Sequence, residues 1–70
     1  MDYTIYTGEY TLTIIDVNTG RGWKEYYYNY QKASKRIKKL RYSQKLKIID
    51  FDSNCTDDTY ALQHLYEYGY

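Results

Sequence analysis

Few side chains of this 70-residue sequence stand at spacings that chemistry can use, and most of those that do lie between residues 50 and 64. Asp50-Phe51-Asp52-Ser53-Asn54 sets oxygen ligands at alternate positions, which is how a calcium loop begins to converge on a hard cation. The pattern stops there, because Cys55 stands where a glycine makes the sharp turn and Ala61 where a glutamate closes the site. The stretch reads instead as a polar connection whose Asp and Asn side chains bond exposed N–H groups. His64 has Asp57, Asp58, Cys55 and Ser53 nearby in sequence, but none of these spacings matches a nucleophile-and-base arrangement. His64 and Cys55 are also two ligands at most, where a closed zinc site takes four. These residues give no reason to expect a catalytic residue, a metal or a cofactor, and the chain is not expected to be an enzyme.

Charge carries the stronger signal. Eight of the ten basic residues lie between Tyr30 and Lys47, YQKASKRIKKLRYSQKLK, with no acidic residue among them. Residues 1–31 carry −2, residues 32–47 carry +8 and residues 48–70 carry −5, so a net charge of only +1 hides a sharp segregation. A local field of this kind steers anionic partners whatever the total charge.

The element that positions the cations follows from spacing. Tyr30, Ala33, Ile37 and Leu40 recur at i, i+3, i+7 and i+10, one narrow sector of a helix over Tyr30 to Arg41. Lys32, Lys35, Arg36, Lys38 and Lys39 then fall on the opposite half. Asn29 is the expected N-cap, since its side-chain oxygen can accept from first-turn N–H groups. A purely solvated helix face would interleave Glu with Lys at i, i+4, and this one forgoes every such pair. The absence points to an anionic partner, against the plainer reading of a face that keeps a small protein soluble.

Around that helix, Tyr10 to Val17 reads as a strand with Tyr10, Leu12 and Ile14 on one side and Thr11, Thr13 and Ile15 on the other. Tyr3 to Tyr6 has the same strand-forming character, with a turn or bulge at Thr7-Gly8. Asn18-Thr19-Gly20-Arg21-Gly22 is a turn signal, and Trp23 to Tyr28 returns as the second strand of a hairpin. Lys45 to Phe51 is a third strand in which Leu46 and Ile48 alternate with Lys47, Ile49 and Phe51. The tail favours a short helix from Asp57 to Tyr68, capped by Thr56, stopped by Gly69 and burying Ala61, Leu62, Leu65 and Tyr66. Its period-two alternation, Tyr60 to Tyr70, keeps a fourth strand open as the alternative.

The expected architecture is a single α+β domain over residues 1–70, two layers deep, with the helix stripe on one sheet face and a tyrosine-rich, partly exposed face on the other. Seventy residues with a lone cysteine have no disulfide to rely on, so the core or an interface must supply stability. Twelve tyrosines suit interfaces, where a ring can be half buried while its hydroxyl stays bonded. Nothing resembles a membrane span or a signal peptide, and a cytoplasmic location is expected.

The order of elements, with KASKRIKKLRYSQKLKII following a Thr-Gly-containing hairpin, resembles small proteins of bacteriophages and prophages, among which anti-CRISPR and other anti-defence proteins are frequent. The likeness spans Thr11 to Asp50. It implies a non-enzymatic inhibitor that binds a host defence protein, such as a CRISPR-Cas component, in the host cytoplasm. On that reading Lys32, Lys35, Arg36, Lys38 and Lys39 are the electrostatic contacts, and Tyr26, Tyr28 and Tyr42 the anchors, because hot spots favour large rings and arginine. Two other partners fit the same surface. Nucleic acid or an anionic nucleotide would place phosphates on the cations and bases on the rings, and a homo-oligomer would dock the acidic tail of one copy on the basic helix of another.

Overall fold

The computed structural model describes residues 9–70, in the order β1 (Tyr10–Asp16), β2 (Gly22–Tyr27), α1 (Tyr30–Arg41), β3 (Leu46–Ser53) and α2 (Thr56–Tyr68). The expected α+β layering is present, and the tail is the helix rather than the fourth strand. The strand-like Tyr3 to Tyr6 and the turn at Thr7-Gly8 lie outside the described residues.

β1 runs down the middle of a three-stranded antiparallel sheet of order β2-β1-β3. Its burial alternates strictly, with Tyr10, Leu12, Ile14 and Asp16 on the helix side. Since β2 and β3 are each antiparallel to β1, they are parallel to one another, and α1 carries the chain from one sheet edge to the other across the helix-covered face. That crossing lets Ala33, Ile37 and Leu40 settle on Leu12 and Ile14, and α2 adds Leu62 and Leu65 to form one core. Complete burial of a Leu or Ile side chain contributes roughly 1.5–3 kcal/mol.

The hairpin turn is held by Asp16. Its Oδ1 accepts from the backbone N–H of Asn18 at 2.9 Å and Thr19 at 3.4 Å, and its carbonyl accepts from Gly20 at 2.7 Å. Gly20 takes φ +78°, the left-handed backbone that closes such a turn without a Cβ clash. Val17 lies past the end of β1 and is exposed.

β3 departs from simple alternation. Thr13 pairs with Asp50 and Ile14 with Ile48, so Ile49 is an extra residue bulged out of the ladder and 60% exposed. Beyond the bulge the faces exchange. Phe51 pairs with Leu12 and packs on the core beside Tyr66, rather than lying with Lys47 and Ile49 on the far side. β3 also continues to Ser53, so the Asp50-Phe51-Asp52 run is extended strand and only Asn54 and Cys55 connect it to α2.

Three further expectations are corrected. The N-cap of α2 is Cys55, which makes no side-chain cap bond; Thr56 is already helical. Ala61 is exposed, since α2 rests on the core through Leu62 and Leu65. The open sheet face is not tyrosine-rich: Thr11, Thr13, Ile15, Lys24, Lys47, Asp50 and Asp52 share it with Tyr26 alone among the tyrosines of the three strands, because Tyr10 and Tyr27 point to the helices.

Candidate functional site: the lysine crest of α1

α1 starts as its sequence requires. Asn29 is extended, and its side chain accepts from Gln31 N at 2.7 Å and Lys32 N at 3.3 Å. Three basic residues, Lys38, Lys39 and Arg41, occupy the last turn, where the helix dipole favours them.

The structure divides the basic residues of this helix into three groups. Ala33, Ile37 and Leu40 anchor one side. Directly opposite, Lys32, Lys35, Lys39 and the C-cap residue Tyr42 follow one another at i, i+3, i+7 and i+10, a crest roughly 15 Å long at the helical rise. All four are exposed. Among the described residues the three crest lysines make no ion pair or hydrogen bond to another side chain.

Arg36 leaves the crest for the flank that meets β2. Its Nε and Nη2 donate to the Glu25 carboxylate at 2.9 and 3.1 Å. The same carboxylate accepts from Trp23 Nε1 at 2.9 Å and Tyr27 hydroxyl at 2.7 Å. Glu25 stands opposite Leu12 on the helix side of the sheet, which places it under α1. Burial disfavours its ionisation, yet the bonds from Arg36, Tyr27 and Trp23 outweigh that and hold its carboxyl below the ordinary value of 4.5. Burial, and then the bond to Glu25, push Tyr27 up to about 12. Arg36 was expected as a partner contact; its guanidinium is committed to docking the helix on the sheet.

Lys38 lies on the other flank. It lines a cleft of about 370 Å³ between α1 and α2, with Ser34 and His64. Arg41 also turns to α2, where Nε donates to the Tyr66 carbonyl at 3.0 Å beside the helix C-terminus.

The tyrosines divide as well. Tyr28 and Tyr42, 70% and 75% exposed, bracket the two ends of α1. Tyr26 pairs with Thr11 and points from the sheet face away from the helices, so it shares no surface with the crest. The surface on this face of α1 is therefore Lys32, Lys35, Lys39 and Tyr42, with Tyr28 exposed just before the N-cap; Arg36, Lys38 and Tyr26 stand elsewhere. The signal that would have removed Arg36 is Glu25 on β2, which becomes visible only when β2 and α1 are stacked.

The carboxylates of the tail do not cover the crest. Asp58 accepts from the Tyr10 hydroxyl at 2.7 Å, and among the described residues no side chain of α2 forms an ion pair with a lysine of α1. That bond, together with burial, pushes Tyr10 up to about 12. No cluster of three His, Cys, Asp or Glu able to hold a metal occurs among the described residues, and no helix there is long and apolar enough to cross a membrane. Comparison with known protein families, with curated proteins and with solved structures returned no match.

Proposed function

We propose that this chain is a non-enzymatic interaction protein that binds an acidic surface of a host protein through the crest of α1, as an inhibitor of the anti-defence kind that its helical region resembles. Lys32, Lys35 and Lys39 supply the charge, and Tyr28 and Tyr42 are the anchors. The observation that carries this reading is the crest itself: three lysines with no carboxylate partner among the described residues, in line on a capped helix and bracketed by two exposed rings. Like charges one turn apart mildly destabilise a free helix, and an anionic partner relieves that repulsion. Rings with few rotatable bonds lose little entropy on docking, while long-range charge sets the rate of encounter.

The test is affinity capture from bacterial lysate with and without nuclease, against a control carrying Lys35→Glu and Lys39→Glu. The captured protein is then purified and its affinity measured with both forms and at two salt concentrations. The expected result is a specific protein that survives nuclease treatment, binds the native chain directly and binds the control at least about tenfold more weakly. Recovery of nucleic acid alone assigns the crest to phosphates and ends the inhibitor reading.

A further inference from the structure

A second surface, independent of the crest, lies in the cleft between α1 and α2. α1 supplies Tyr30, Ser34 and Lys38 at i, i+4 and i+8, so their side chains stack along one line at roughly 6 Å per step. α2 faces them with His64 and Leu65, and Tyr70, just past the helix end, closes the cleft. The volume of about 370 Å³ is at the small end of the range in which proteins hold small ligands.

Three features of the lining point to one kind of occupant. Among the described residues the Ser34 hydroxyl has no hydrogen-bond partner and no contact with solvent, a state that is costly for a buried polar group. One turn further, Lys38 brings an ammonium that is unpaired among the described residues, on the same wall as the Ser34 side chain. Opposite them, His64 is fixed by Nδ1 donating to the Tyr70 carbonyl at 2.8 Å, which leaves Nε2 free of that bond. The ring is further held against Tyr68 and Tyr70, with centroids 4.6 and 5.8 Å apart.

We propose that this cleft binds a phosphate monoester that also carries an aromatic ring system, the size of a nucleoside monophosphate. The phosphate takes Lys38 and, after a turn about its χ1, the Ser34 hydroxyl; the ring system lies against Tyr30, Leu65 and Tyr70; His64 Nε2 bonds a polar group of the ligand. Phosphate and ring each have a matching wall, and the volume leaves room for one of each rather than for a dinucleotide.

The test is titration of the isotope-labelled full chain with adenosine monophosphate, followed by the amide resonances, with adenosine and inorganic phosphate as the two halves of the ligand. The expected result is a saturable shift at Ser34, Lys38 and His64, with each half binding at least about tenfold more weakly, since linking two contacts raises the effective concentration of the second. Lys38→Gln is expected to weaken binding by about tenfold or more, Ser34→Ala by a few-fold, and Lys24→Gln, on the sheet face away from the helices, not at all. Lys38 is exposed, so its variant keeps the fold, and an unchanged spectrum in the absence of ligand verifies this. The proposal is overturned by a lack of saturation at millimolar ligand, by inorganic phosphate binding as tightly as the nucleotide, or by shifts that track Lys32, Lys35 and Lys39 and vanish with salt. That last outcome would leave the crest reading intact, and loss of the crest partner would leave the cleft untouched.

Discussion

At the residue scale, Glu25 does the most to decide which cations are available. Four donors converge on its carboxylate, two of them from Arg36, and such charge-assisted bonds are the strong ones. Arg36→Met is expected to destabilise the fold by about 1–3 kcal/mol in urea denaturation, because it strands a half-buried carboxylate, whereas Lys35→Met should change stability by less than about 0.5 kcal/mol. The pH dependence follows from the same groups. The Glu25 carboxyl is held below 4.5 in the fold, so its stabilising contribution is present above that value and is lost as pH falls through the lower folded value. Tyr10 and Tyr27 behave in the opposite sense. Each is raised from 10.0 to about 12, so their contribution is complete below pH 10 and is lost as pH rises toward 12. Phenolate absorbance should show these two rings ionising last and together with unfolding; ionisation near pH 10 with the fold intact would refute the assignment, and Tyr27→Phe should remove one late step.

At the element scale, each helix is fixed by a different device at its ends. Asn29 caps α1 through two backbone bonds, so Asn29→Ala should cost about 1 kcal/mol in thermal or chemical denaturation. α2 lacks a side-chain cap and instead relies on its other end. Gly69 sits at φ +86° and its N–H donates to the Leu65 carbonyl at 2.7 Å. A Cβ there would stand 3.1 Å from Arg41 Nη1, the side chain that bonds the last turn. Gly69→Ala is therefore expected to cost about 1–2 kcal/mol from backbone strain alone, and more if Arg41 is displaced. The N-cap of α1 and the glycine stop of α2 were both legible, because capping is local chemistry written in a few adjacent residues. The face exchange in β3 was not, since the bulge at Ile49 exists only in the pairing of Asp50 and Ile48 with neighbours on β1.

At the scale of the whole molecule, charge segregation survives folding only in part. Arg36 is neutralised by Glu25, and Lys45 approaches Asp16 at 3.6 Å, while the crest lysines keep their field. Protein binding through the crest predicts a chain of 8.5 kDa in solution at low and high salt alike; a larger mass that declines as salt rises would assign the crest to a second copy instead. The sequence by itself determined the α+β class, the hairpin, the helix with its buried stripe and the concentration of positive charge, because periodicity, turn residues and capping act over a few residues. Which of those charges remain available was decided by the tertiary structure. An ion pair between Arg36 and Glu25, a cleft holding Lys38 and Ser34, and a sheet that turns Tyr26 away from the crest all depend on segments far apart in the chain meeting around one core, and no local pattern encodes that meeting.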